Sequence, residues 1–99
     1  MAKKPTLQYV VVRARSAGVH AGELVARDGS VVELRNSRRL WYWSGAASLS
    51  EIAVSGVRKP AECKFAIPVP QIFINEWIEI LPASADARKS IEGVPEWKA

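Results

Sequence analysis

The apolar residues of this chain come in short β-branched runs, each cut off by turn residues within about ten positions, a rhythm that favours a small antiparallel sheet over a helical bundle. Leu7 to Arg15 reads as a first strand, closed by Ser16-Ala17-Gly18, where glycine tolerates a positive φ. Val19 to Arg27 reads as a second strand. Asp28-Gly29 follows, a two-residue hairpin signal of the type I′ kind. Val31 to Arg35 is the returning strand, Asn36-Ser37 a second turn, and Arg38 to Trp43 a fourth strand, so the first half is a β-meander.

The second half is more mixed. Ser44-Gly45-Ala46-Ala47 breaks the strand, and Ser48-Leu49-Ser50-Glu51 is a capping box opening a helix of about two turns that Gly56 ends. Cys63 to Val69 is extended, but Pro68 and Pro70 make it an edge strand or an irregular crossover. Gln71 to Leu81, rich in isoleucine, reads as one long strand stopped by Pro82. Ser84 to Ile91 reads as a second short capped helix, and the tail Gly93 to Ala99 carries Trp97, a side chain expected to dock, here or on a neighbouring subunit.

At 99 residues and 48% hydrophobic the chain is one domain, 1–99, with a core small enough that an oligomeric interface would help it. The expected fold class is β-rich α+β: an antiparallel meander or small barrel-like sheet of five or six strands with two short helices. Apolar runs such as Tyr9 to Val12 are too short to span a bilayer. Met1 to Thr6 is basic without an apolar stretch behind it, so no secretion signal is expected. One cysteine, Cys63, and one histidine, His20, allow neither a disulfide nor a metal centre, and a reducing cytoplasm fits best. The net charge of +4 is uneven. Residues 1–40 hold eight Lys/Arg against three acids, and residues 41–99 hold six against seven. A basic first half suits an anionic partner.

Arg38-Arg39-Leu40-Trp41-Tyr42-Trp43 is the segment with the most chemistry, since arginine beside indole is what holds a flat anion: the guanidinium takes the phosphate and the ring stacks on the base. Strand alternation would put Arg39, Trp41 and Trp43 on one face and Arg38, Leu40 and Tyr42 on the other. The same tryptophans serve equally well as core. Gly45 to Ser48, leading into a helix N-terminus, adds a candidate anion site. Arg15, with His20, is a candidate second anionic contact or a solvated strand face. Phe65 either stacks on a ligand or packs, and Asn75, an amide in an apolar strand, needs a partner that a base edge would supply. No nucleophile–base motif is recognisable, so neither an enzyme nor a cofactor is expected.

Ser16 to His20, Arg38 to Ser50, Cys63-Lys64-Phe65, Ile78-Glu79-Ile80 and Val94 to Trp97 together resemble small proteins of tailed phages and prophages, and through them the anti-defence sponge family acting against Thoeris immunity. That resemblance implies a non-enzymatic homo-oligomer in the host cytoplasm that captures a cyclic ADP-ribose isomer or a cyclic oligonucleotide. It also implies nucleotide contacts from a late Phe and Asn, for which Phe65 and Asn75 are the matching positions. The alternative is a small β-rich nucleic-acid-binding module of phage origin.

Overall fold

The computed structural model describes residues 7–98. Six antiparallel strands and two helices follow one another as β1 (Tyr9–Ala14), β2 (Gly18–Asp28), β3 (Val31–Tyr42), α1 (Leu49–Ser55), β4 (Lys64–Phe65), β5 (Val69–Asn75), β6 (Trp77–Pro82) and α2 (Ala85–Glu92), with a 3-10 turn at Pro60–Glu62. The expected β-rich α+β class is what the chain adopts. The sheet runs β4-β3-β2-β1-β6, with β5 also paired to β3. Glu76 alone, at φ 58°, separates β5 from β6, yet β5 pairs β3 while β6 pairs β1. The two edges of the sheet therefore meet at one residue, and the sheet curls into an open, barrel-like roll.

Three expectations are corrected by this arrangement. Gln71 to Leu81 is two strands rather than one, because the chain must turn at Glu76 to pass from one edge of the sheet to the other. The β2–β3 hairpin turns on Gly29-Ser30, with Asp28 opposite Val31 as the last ladder pair. Gly29 has φ 58° while Ser30 is not left-handed, the sign pattern of a type II′ rather than a type I′ turn, with glycine in the first position where it is needed.

Asn36-Ser37 is not a turn either. β3 runs through it as a bulge: Glu23 pairs with Arg35 and Ala21 with Arg38, so Asn36 and Ser37 together oppose Gly22. Asn36 takes φ 51°, and the β5 residue facing it is Pro70, whose missing N–H costs nothing where the ladder is already interrupted. A Cβ on Gly22 would lie 2.9 Å from both Cα and Cβ of Ser37, so only glycine lets the bulge close.

The extra residue switches the faces of β3. Val32 and Leu34 lie inside the roll with Val10, Val12 and Ile74. Beyond the bulge it is Leu40 that reaches the other core, shared by Tyr9, Val11, Ala21, Phe65, Ile52 and Ile91 between sheet and helices. β1 is buried on both faces, which explains its uninterrupted Tyr9-Val10-Val11-Val12 run.

The helices close the second core. Ser48 Oγ accepts from Glu51 N at 3.2 Å, the N-cap half of the expected capping box, while the Glu51 carboxylate reaches one residue past the N-cap and accepts from Ala47 N at 2.6 Å. Ser84 Oγ accepts from Ala87 N at the start of α2. The helices touch where Ser90 Oγ exchanges hydrogen bonds with the backbone of Val57. No helix among the described residues is long and apolar enough to cross a membrane.

Candidate functional site

Arg38 and Arg39 take opposite faces of β3. Ladder partners share a face, so one row reads Leu81, Val11, Ala21, Arg38 and the neighbouring row reads Ile80, Val12, His20, Arg39. The first row points at the helices, the second into and along the mouth of the roll. Arg38 is 3% exposed. Its Nη1 donates to the carbonyls of Ile91 at 2.8 Å and Val94 at 2.7 Å, its Nε to Ala66 O at 2.9 Å and its Nη2 to Phe65 O at 3.2 Å. Burial pulls its pKa down from the ordinary arginine value, and the four carbonyls, that of Ile91 in the last turn of α2 among them, are what hold the charge there. Arg38 is thus a fastener of the C-terminal segment, and its expected role as a ligand contact is corrected: every arm of the guanidinium is already engaged.

Arg39 is exposed and lies between two depressions. On one side, a depression of about 380 Å³ is lined by Arg39, Trp41, Trp43 and the turn from Ser16 to Val19. On the other, one of about 270 Å³ is lined by Arg39, His20, Ser37, Ile67, Val69 and Ile72 among others. No carboxylate lines either. Among the described residues Arg13, Arg15, Arg35, Arg58 and Arg88 pair with acids, Arg27 lies 5.9 Å over the Trp77 ring, and Arg38 holds carbonyls, whereas no ion pair engages the Arg39 guanidinium.

The expected clustering of Arg39, Trp41 and Trp43 is therefore present, and the turn that leads to His20 joins it. Trp41 is 65% exposed and Trp43 half-buried against the helix-side core. The Trp97 ring lies 6.4 Å from Trp41 at 10° between planes, and Lys64 Nζ sits 5.4 Å over Trp97. Trp97 N donates to Phe65 O at 2.9 Å, so the tail adds itself to the edge of the sheet at β4. Trp97 docks on its own chain, and nothing in its surroundings in the sequence singled out Trp41 as its partner.

The remaining expected residues lie elsewhere. Phe65 is wholly buried in the helix-side core, under the Arg38 guanidinium at 5.7 Å. Asn75 is exposed but pairs with Val31 at the opposite end of β3, ten residues and roughly 30 Å of strand from Trp41. Arg15 is exposed with its guanidinium 3.8 Å from Glu76. The α1 N-terminus offers no anion site, because the Glu51 carboxylate already occupies Ala47 N. His20, 1% exposed, does line the smaller depression; Nε2 contacts Ala17 O at 2.9 Å, so that nitrogen carries the proton, and burial holds its pKa below 6.5. Cys63 is buried among backbone groups of Ser44 and Lys59. Among the described residues no three His, Cys, Asp or Glu side chains are grouped to hold a metal.

No curated protein and no solved structure matches the chain. Residues 7–91, which span every strand and all but the last residue of α2, match the family described as Domain of unknown function (DUF6948), and the chain belongs to that family.

Proposed function

We propose that the protein binds a small anionic nucleotide on the Arg39–Trp41–Trp43 face and holds it without turnover. The observation that carries this is Arg39, the one arginine that no acid, carbonyl or ring engages among the described residues, standing between two indoles and a second depression with no carboxylate in either lining. A guanidinium so placed offers two parallel donors to a phosphate, and an open indole face takes the base. Sequestering a cyclic nucleotide signal of bacterial anti-phage defence, a cyclic ADP-ribose isomer or a cyclic oligonucleotide, is the biological role that goes with such a site. A homo-oligomer is part of that proposal. The stacking that the sponge resemblance would assign to Phe65 falls here to Trp41, since Phe65 has no exposed surface.

Native mass spectrometry after incubation with a nucleotide extract from cells with activated TIR signalling tests the reading. The expected result is a bound molecule of ADP-ribose-like or cyclic oligonucleotide mass, released intact on denaturation and lost in Arg39→Ala. Arg39→Ala and Trp41→Ala proteins that fold normally and bind every tested nucleotide like wild type would overturn it.

A second reading, a single-strand nucleic-acid platform, is favoured by one observation: Trp41 and Trp97 form an exposed stacked pair with Lys64 over it. Salt separates the two. Affinity for an oligonucleotide that tracks phosphates should fall steeply between 50 and 200 mM salt, by roughly tenfold or more for a few contacts; a single pocketed nucleotide is less sensitive.

A further inference from the structure

Ser37 is 1% exposed, and its Oγ is one of two buried side-chain oxygens among the described residues with no hydrogen-bond partner. Leaving a buried hydroxyl unpaired is unfavourable, and such groups in a native fold call for an explanation. Ser37 sits at the β3 bulge and lines the depression of about 270 Å³ that shares Arg39 with the indole-lined one. His20 lies beside it, with Nε2 committed to the Ala17 carbonyl and the other ring nitrogen left with its lone pair. Ile67, Val69 and Ile72 supply apolar walls. The cavity thus combines an unpaired donor, a neutral imidazole and an aliphatic lining, which suits an uncharged ring with polar edges and not a second phosphate.

Size points the same way. A volume of about 270 Å³ is below, and about 380 Å³ near the bottom of, the roughly 300–1,000 Å³ of a complete small-molecule site. Joined across Arg39, the two make one site well inside that range. We propose that the Ser37–His20 cavity is a second subsite, taking the second base or ribose of a two-part nucleotide whose phosphate lies on Arg39 and whose first base lies on Trp41. This rests on the nucleotide reading of the Arg39–Trp41 face. It makes Ser37 a specificity residue, one whose hydroxyl is unfavourable in the free protein and satisfied by ligand.

Calorimetric titration of the whole chain with AMP and with adenylyl-(3′→5′)-adenosine tests it. The dinucleotide should bind at least roughly tenfold tighter than AMP. Ser37→Ala should weaken the dinucleotide by roughly 3- to 10-fold, the worth of one hydrogen bond, leave AMP unchanged, and leave Tm equal or higher. Ile67→Trp, at an exposed wall of the cavity, should weaken the dinucleotide selectively by steric filling. If AMP binds in a Trp41-dependent way but the dinucleotide is no tighter, or if Ser37→Ala and Ile67→Trp both bind the dinucleotide like wild type, the second subsite is wrong and the first reading stands. If neither compound binds, the nucleotide reading fails and this one with it.

Discussion

The indoles of Trp41 and Trp97 lie 10° from parallel with centroids 6.4 Å apart, an offset stack that ties the C-terminal segment to the end of β3. Stacked aromatic pairs are worth about 0.5–1.5 kcal/mol beyond the area they bury. A double-mutant cycle on Trp41→Ala and Trp97→Ala, read by denaturant unfolding, should return a coupling energy in that range. Additive effects of the two substitutions would mean that the tail does not rest on Trp41 in solution.

Arg38 and Arg39 should separate cleanly in mutagenesis. Arg38→Met removes the donors to four carbonyls around Phe65, Ala66, Ile91 and Val94 and should cost about 3–5 kcal/mol. Arg38→Lys should recover little, because one ammonium cannot reproduce the planar fork. Arg39→Met should leave the unfolding midpoint within about 0.5 kcal/mol of wild type, as expected of an exposed side chain without partners. Equal destabilisation by the two would contradict the division of labour.

Much of this division was legible in the sequence, and the part that was not has a single physical origin. Alternation in Arg38–Trp43 already placed Arg39, Trp41 and Trp43 together, because a strand fixes relative faces over a short run whatever happens elsewhere. Which of the two faces is buried depends on the parity carried over from earlier strand residues, and the Asn36-Ser37 bulge changes that parity. Asn36 and Ser37 look like turn residues because both turn and bulge ask for a left-handed Asn. The difference is made by Gly22, fifteen residues before Ser37, which leaves space for it. Arg38 and Ser37 therefore acquire their roles from a cross-strand contact that local pattern does not contain. Asn75 was misplaced for a related reason: the kink at Glu76 splits one apolar run between two edges of the sheet.

The hydroxyl of Tyr9 is buried without a partner, and burial, reinforced by Glu92, pushes its pKa up to about 12. A tyrosine that ionises near 10 in the unfolded chain and only near 12 in the folded one contributes stability that is fully present below pH 10 and is lost as pH rises toward 12. Wild type should therefore lose about 1 kcal/mol relative to Tyr9→Phe by pH 11. At pH 7 the two should be nearly equal, since the substitution also removes an unpaired hydroxyl. Parallel stability curves for the two proteins from pH 9 to pH 11 would refute the burial of this group.

His20 gives the corresponding test in acid. Burial, with a smaller push from Arg39, holds its pKa below 6.5, while the hydrogen bond to the Ala17 carbonyl works against that shift. Its ladder neighbours on this face, Val12 and Ile80, carry no charge, so Arg39 is the charged group that faces it. Below pH 6.5 the unfolded chain binds a proton that the folded chain refuses, so stability should fall as pH drops from 7 to 5, with a slope of at most about 1.4 kcal/mol per pH unit. The window is readable because this is the one histidine in the sequence. Burial alone would raise the pKa of Glu23, but hydrogen bonds from Arg88, Asn36 and Arg35 outweigh it and hold the group below 4.5, so its contribution is lost only at lower pH. Unfolding midpoints measured at pH 7, 6 and 5 should decline in wild type and stay level in His20→Gln. A decline of equal size in the variant would assign the acid sensitivity to some other group and place His20 in water.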